Sequence, residues 1–91
     1  MSILRLPAVK AETGHRSHAS IYNAIRAGTF PKPVPIGQRA VGWPSDEVQI
    51  IVAARIAGTP EDELRGLVDV LHAKRTLALE DALVRVAGVA A

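Results

Sequence analysis

Apolar residues recur at helical spacing in the stretch from Gly14 to Pro31. Ile21, Ala24 and Ile25 follow an i, i+3, i+4 pattern, which places side chains on one side of an α-helix. Ser17 stands where its hydroxyl can cap the first turn, so the helix is expected to begin there. A helix this short is not stable alone, and the pattern therefore predicts that its apolar side packs on a neighbouring element.

The residues at the end and on the outer side of this helix indicate what the helix does. Gly28 suits the position after the last helical turn, and Pro31 cannot continue a helix. The side away from the apolar pattern carries small, polar or cationic residues: Ala19, Asn23 and Arg26, flanked by Ser20 and Tyr22. A helix with such a surface can enter the major groove of DNA, so the segment is interpreted as a recognition helix.

A shorter helical segment precedes the recognition helix. Pro7 suits its first position, Val9 is its expected inward residue, and Gly14 supplies the positive φ that ends it. A turn from Gly14 to Ser17 joins the two segments into a helix-turn-helix candidate, in which the first helix braces the second. The preceding segment, Ser2 to Leu6, is either a brief strand or an arm over the core.

Two short β-type runs, Val34–Ile36 and Arg39–Trp43, follow the recognition helix. Gly37-Gln38 between them predicts a type II′ hairpin turn, with glycine at the first loop position. Pro33 and Pro35 confine the first run to the edge of a sheet.

A hairpin directly after a recognition helix is interpreted as a wing. Arg39 lies near its tip, where a guanidinium can reach a phosphate or a narrow minor groove. Val41 and Trp43 are expected to pack the hairpin on the helices. Trp43 is assigned to the core rather than to base stacking, because a lone tryptophan is a poor single-strand platform.

A third helix is predicted after the wing. Ser45, Asp46 and Glu47 favour its start through capping and the helix dipole, and Gly58 ends it. Its inward residues are expected to be Val48, Ile51, Val52 and Ile56.

The remaining residues predict more helix. The segment from Thr59 to Glu63 has a cap, a proline and three acids, as a helix start does, and Lys74-Arg75 suits a last turn. The apolar stripe of this helix is Leu64, Leu67, Val68 and Leu71, and a further helical stretch carries Leu79, Leu83 and Val86 on one side. This extension either covers the core or forms a dimer contact. The predicted division is a DNA-binding domain at residues 1–58 and a helical extension at residues 59–91.

Composition supports a DNA-binding module over an enzyme. The 91 residues suit one small domain, and the chain has no cysteine. Six basic residues against one acidic residue occupy positions 1–44, whereas five against eight occupy positions 45–91, which indicates a polyanionic partner for the first half. We find no catalytic constellation, cofactor-binding loop, signal peptide or membrane-spanning run, so no cofactor and no membrane partner are expected.

The order of motifs resembles one known family. The run LRLPAVKAETG precedes Ser17, Ser20 and Tyr22; IRAGTFP and PVPIGQRAVGW follow, and then SDEV and ARIAG. Over residues 4–58 this resembles the AlpA-like phage and prophage regulators, small winged helix-turn-helix proteins akin in fold to excisionases and to the DNA-binding domain of MerR-type regulators. The resemblance implies a mainly α fold, with a short two-stranded β-hairpin wing and a C-terminal helical extension.

The resemblance also implies DNA binding in transcriptional control of mobile elements, sometimes with a part in excision. Carried onto this chain, the recognition helix is Ser17 to Ala27, the wing arginine is Arg39 and the core tryptophan is Trp43. The chain departs from the family pattern in a longer turn before Ser17, and in His18 and Asn23 at positions where arginines are common.

The predicted DNA-binding residues are Arg16, Ser17, His18, Ala19, Ser20, Tyr22, Asn23, Arg26, Lys32, Gln38 and Arg39. Asn23 is expected to read an adenine edge and Arg26 to hold a phosphate, because base contacts concentrate near the start of a recognition helix. Arg16, Ser17 and His18 flank the positive end of the helix, which is a phosphate site. The hydroxyl of Tyr22 is expected to point toward a phosphate. His15 and His18 are expected near DNA or solvent, and not as a metal pair, since a third ligand is lacking.

Three functions remain open from the sequence. The first is a sequence-specific double-stranded DNA-binding transcriptional regulator of a phage, prophage or other mobile element, located in the bacterial cytoplasm with the nucleoid. The second is an excisionase-like architectural factor that bends DNA. The third is a protein-interaction or dimerisation module. A homodimer or head-to-tail oligomer, an integrase and RNA polymerase are the protein partners considered.

Overall fold

The computed structural model describes residues 2–90, and side chains are described through residue 88. In chain order the elements are β1 (Ile3–Leu4), α1 (Leu6–Thr13), α2 (His18–Ala27), β2 (Val34–Gly37), β3 (Ala40–Pro44), α3 (Ser45–Ile56) and α4 (Glu61–Ala90). The predicted class, a mainly helical winged helix-turn-helix with a C-terminal extension, is confirmed. The first predicted domain begins at Met1 and the second ends at Ala91, and both of these residues lie outside the described residues. The predicted boundary between residues 58 and 59 stays a prediction.

The helix-turn-helix forms from the local signals that predicted it. Gly14 ends α1 with a left-handed φ of 77°, and its N–H donates to the carbonyl of Lys10 at 2.9 Å. The hydroxyl of Ser17 accepts a hydrogen bond from the backbone N–H of Ser20 at 3.1 Å, which caps α2. Gly28 ends α2, again in the left-handed region.

The sheet has three antiparallel strands in the order β1-β3-β2. Ile3 pairs with Pro44 and Leu4 pairs with Trp43, so the segment before α1 is a strand rather than a loose arm. On the other side of β3, Val34 pairs with Gly42, which leaves the proline-containing β2 at the edge, as predicted.

The hairpin turn differs from the prediction. Gly37 belongs to β2 and pairs with Ala40, so the loop residues are Gln38 and Arg39. The left-handed φ, 60°, is found at Arg39 rather than at a glycine. The type II′ turn beginning at Gly37 is therefore wrong; a register shift around Ile36 inserts one residue into β2 and moves the turn toward the C terminus.

The start and end of α3 also correct two expectations. Pro44, not Ser45, is the residue before the helix, and the hydroxyl of Ser45 accepts a hydrogen bond from the Ser2 N–H at 2.9 Å instead of capping α3. Val48 and Ile51 are buried as predicted. Ile56 is 82% exposed, because α3 has passed the edge of the core at its last residue.

The C-terminal extension is one continuous helix. Lys74 and Arg75 lie within α4, so the predicted helix end at this pair is wrong. Leu64, Val68 and Leu71 are buried, and the first part of α4 therefore covers the core. The second part leaves the core and exposes its large aliphatic residues: Leu77, Leu79, Leu83, Val84 and Val86.

The core is centred on Trp43, as expected. Its side chain is fully buried, and its indole N–H donates to the Pro31 carbonyl at 2.9 Å. The ring centroids of Phe30 and Tyr22 lie 6.3 Å and 6.4 Å from that of Trp43. The other buried apolar residues around it are Val9, Ile21, Val48, Ile51, Val68 and Leu71. The wing, α2 and α4 are thus fixed to one another through a shared apolar centre.

Candidate nucleic-acid interface

Helix α2 has one side packed against the core and one side exposed to solvent. Ile21 is fully buried, and Ala24 and Ile25 are half-buried against the core, which fixes the rotation of the helix about its axis. Nine predicted DNA-binding residues are exposed: Arg16, Ser17, His18, Ala19, Asn23, Arg26, Lys32, Gln38 and Arg39. Ser20 and Tyr22 are half-buried.

The start of α2 offers backbone N–H groups to an anion. The hydroxyl of Ser17 accepts only from the N–H of Ser20, and the exposed Arg16 and His18 lie on either side of this cap. The positive end of a helix next to a guanidinium can bind a phosphate oxygen.

The turn before α2 is held by His15. Its Nδ1 lies 2.5 Å from the hydroxyl oxygen of Ser20, and its ring packs edge-on against Phe30 with centroids 6.4 Å apart. His15 is therefore half-buried rather than facing solvent or DNA. Burial, and secondarily the Arg55 guanidinium, lowers the pKa of His15 below its ordinary value.

The two polar residues in the middle of α2 contact each other. The guanidinium of Arg26 donates a hydrogen bond to Oδ1 of Asn23, three residues earlier on the exposed side. An amide oxygen has two lone pairs, so Asn23 can accept from Arg26 and from a base edge together. The contact orients the amide of Asn23, and it ties the side chain of Arg26 to that of Asn23.

Tyr22 lies at the border between this surface and the core. Its ring meets Trp43 edge-on, with an interplanar angle of 65°. Ring packing of this kind fixes the position of the tyrosine while leaving part of the side chain exposed.

The tip of the wing is formed by Gln38 and Arg39. Both are exposed and occupy the two loop positions between β2 and β3. The hairpin thereby places a guanidinium at its extremity, on a backbone held in the left-handed region.

Three side chains of α4 that the sequence did not assign to the site contact this region. Arg65 donates to the carbonyl of Ala27, and His72 and Arg75 bind the backbone of Lys32. The sequence held a signal for Arg75, since it continues the buried stripe of Val68 and Leu71 at helical spacing. A charged residue at a buried stripe position indicates an ion pair.

Two cavities lie beside side chains that support this surface. One cavity of about 350 Å³ lies between α3 and α4, next to Glu47 and Arg75; another of about 150 Å³ lies beside His15. Across residues 2–90, no group of three metal-ligating side chains is close enough to hold an ion. Within the same stretch, none of the helices combines the length and the apolar character needed to cross a bilayer.

Comparisons with known proteins identify relatives of the first part of the chain. The chain is 44% identical over 55 residues to "Uncharacterized protein ORF88" of Enterobacteria phage P4, an alignment that spans 60% of this chain and 61% of that protein. No solved structure matches. The family model described as "Prophage CP4-57 regulatory protein (AlpA)" matches residues 2–56. Because that match covers more than half of the sequence, the chain belongs to the AlpA family of phage-associated regulatory DNA-binding proteins.

Proposed function

We propose that this protein is a sequence-specific double-stranded DNA-binding transcriptional regulator of a prophage or other mobile element. The observation that carries the proposal is the division of α2, whose apolar side is fixed in the core while His18, Ala19, Asn23 and Arg26 remain outside. A short helix held in this way can present its outer side chains to base edges in the major groove. Its working location is then the cytoplasm, where RNA polymerase meets the same DNA.

Different residues of this surface take different roles in DNA binding. Asn23 reads an adenine edge with Arg26 holding its amide oxygen, and the start of α2 takes a phosphate beside Arg16. Arg39 contacts the backbone or the minor groove from the wing tip. Phosphate contacts set the register, and base contacts supply the sequence preference.

Selection of bound duplexes from a random pool tests the proposal. We expect an enriched consensus, bound at least about 10³-fold more tightly than random duplex at physiological salt. The matched control is the double variant Asn23→Ala/Arg26→Ala, which keeps the buried side of α2 and is expected to enrich a consensus that has lost its preference at one base pair. A wild-type protein that enriches nothing over random sequence contradicts the proposal.

The exposed part of α4 supports a second role, self-association with a second copy of this chain. Val70, Leu77 and Val84 are spaced by seven residues, share one side of the helix, and are 51%, 60% and 69% exposed. If two copies pair antiparallel about Leu77, Val70 lies opposite Val84 of the second copy over about 21 Å of helix. The same pairing brings Lys74 within one turn of Asp81 of the second copy, so the surface is complementary to itself in charge.

Charge reversal tests this pairing. Light scattering after size exclusion should give a dimer mass for wild type and a lower average mass for Lys74→Glu, with recovery in Lys74→Glu/Asp81→Lys. Ala82→Glu is the control, an exposed change on the same helix that lies about 140° around the axis from Leu77 and therefore outside the seam. A monomer at all concentrations excludes this role, and a palindromic consensus in the duplex selection supports it.

A further inference from the structure

The segment between the recognition helix and the wing is held by α4. This connector, residues 28–33, follows Ala27 and leads into β2. Nε of Arg65 donates to the carbonyl oxygen of Ala27 at 2.9 Å. The backbone N–H of Lys32 donates to Nε2 of His72 at 3.1 Å, and Nη2 of Arg75 donates to the Lys32 carbonyl at 2.8 Å. Three side chains of one helix thus bind main-chain groups at both ends of the connector.

The contact at Ala27 acts as a C-terminal cap for the recognition helix. The last carbonyls of a helix have no partner within it, and basic side chains can satisfy them. The stem of Arg65 also lies over Gly28, where an added Cβ would stand 3.4 Å from Cγ of Arg65. Arg65 therefore fixes where α2 ends and the connector begins.

The contacts at Lys32 are held in place by further partners. Arg75 binds Glu47 of α3 through two bonds, Nε to Oε2 at 2.8 Å and Nη2 to Oε1 at 2.5 Å. This bidentate pair orients the guanidinium before it meets the Lys32 carbonyl. Leu71, buried in the core beside His72, anchors the same turns of α4.

We infer that α4 is a positioning element of the DNA-binding site, which fixes the wing relative to the recognition helix through Arg65, His72 and Arg75. The inference rests on the proposed function for its effect on DNA. The element lies outside residues 2–56, the part matched by the family, so this chain adds its own support to the family's DNA-binding unit. None of the three side chains needs to touch DNA for this role.

Two variants of His72 separate positioning from simple stability. His72→Leu removes the acceptor for the Lys32 N–H, and His72→Gln retains an acceptor at the position of Nε2. Arg85→Met is the control, because Arg85 lies on the same helix and its hydrogen bond is to Asp81, not to the connector. Each variant is measured for amide exchange at Lys32 and in the wing, for affinity toward the selected duplex, and for melting temperature.

We expect His72→Leu to bind the selected duplex about five- to tenfold more weakly, the effect of removing one hydrogen bond. Its Lys32 and wing amides should exchange faster, whereas His72→Gln and Arg85→Met should stay within about twofold of wild type. Wild-type affinity in His72→Leu overturns the inference, as does a loss of affinity that His72→Gln does not restore.

Amide exchange is measured without DNA, so it tests the positioning role of α4 separately from the proposed DNA-binding function. If wild type selects no duplex, the proposed function fails, and the inference is then decided by exchange alone. Faster exchange in the wing of His72→Leu supports the positioning role, and unchanged exchange there overturns it.

Discussion

Glu47 and Arg75 form a bidentate ion pair that joins α3 to α4 beneath the surface. Only 7% of the Glu47 side chain and 18% of the Arg75 side chain are exposed. Nη1 of Arg75 is buried without a hydrogen-bond partner within the described residues, so Glu47 supplies most of the compensation for this charge. Glu47→Ala leaves an uncompensated buried guanidinium, and we expect it to lower the free energy of unfolding by about 3–5 kcal/mol. Urea unfolding measures the loss.

The ion pair between Arg85 and Asp81 provides the matched comparison. Both side chains are more than half exposed and four residues apart on α4. Solvent screening leaves such pairs worth little, and Asp81→Ala should change the unfolding free energy by less than about 0.5 kcal/mol. Equal losses in Glu47→Ala and Asp81→Ala would show that burial does not determine the strength of the α3–α4 pair.

Gly42→Ala is expected to destabilise the sheet. A Cβ at this position would overlap Cγ2 of Ile3 and lie 3.0 Å from the backbone oxygen of Leu4, so β1 would have to move away from β3. Overpacking of this kind costs about 1–3 kcal/mol. Gly37→Ala is the control, since nothing lies within 4 Å of its added Cβ. Thermal unfolding of both variants measures the loss of stability. A smaller loss of stability in Gly42→Ala than in Gly37→Ala contradicts the close approach of β1.

Arg39→Gly should weaken binding to all DNA sequences alike. Glycine accepts the φ of 60° at this position, so the turn is kept and the guanidinium alone is removed. Removing one guanidinium–phosphate interaction reduces the slope of log affinity against log salt by about one unit. Arg39→Lys keeps the charge and serves as control. A change confined to one base pair of the consensus would instead make Arg39 a base reader.

Asn23 and Arg26 are expected to act as a coupled pair. Asn23→Ala should relax preference at one base pair, at a cost of about 1–3 kcal/mol for the preferred base. Arg26→Ala removes the hydrogen bond that orients the Asn23 amide, so this variant should lose part of the same binding free energy. The losses of the two single variants should therefore not sum to the loss of the double variant. Binding titrations of wild type, both single variants and the double variant close the cycle; strictly additive losses show that the two side chains read DNA independently.

Acid should destabilise the fold through His72 and His15. Burial, then Arg75 and Lys32, lowers the pKa of His72, while the nearby carboxylates of Glu47 and Asp69 oppose this shift only in part. The unfolded chain therefore binds these protons at a higher pH than the folded chain does. The associated stability is present above about pH 6.5, the ordinary pKa of histidine, and is lost as pH falls below it.

Unfolding free energies measured between about pH 7.5 and about pH 5.5, one unit either side of the ordinary histidine pKa, give this slope. His72→Gln should make it shallower, because glutamine does not titrate and can still accept from the Lys32 N–H. A slope that is unchanged in both His72→Gln and His15→Gln places the acid sensitivity elsewhere in the chain.

The elements around the recognition helix were predictable because their signals are local. Ser17, Gly14 and Gly28 act on the backbone within four residues of themselves, and the structure shows each in its expected role. The hairpin turn was not predictable at that level. Its position depends on the register shift near Ile36, and register is a property of two strands together.

The errors in the later helices have a similar cause. Glu47 near a helix start favours the interpretation that it complements the dipole, yet its partner is 28 residues away on α4. Arg75 next to Lys74 suggests a helix end, whereas α4 continues past this pair and the Arg75 side chain binds Glu47 and the Lys32 carbonyl instead of a helix terminus. The predicted DNA-binding residues are exposed or half-exposed, and their contact with DNA stays a prediction.

The chain contains a single tryptophan, and its environment makes it a built-in optical reporter. The indole of Trp43 is shielded from water, and its N–H is tied to Pro31 between the recognition helix and the wing. Its emission should therefore lie at short wavelength in the native protein and move to longer wavelength when the wing separates from the helix. Loosening of the DNA-binding unit can be followed in this way without attaching a dye.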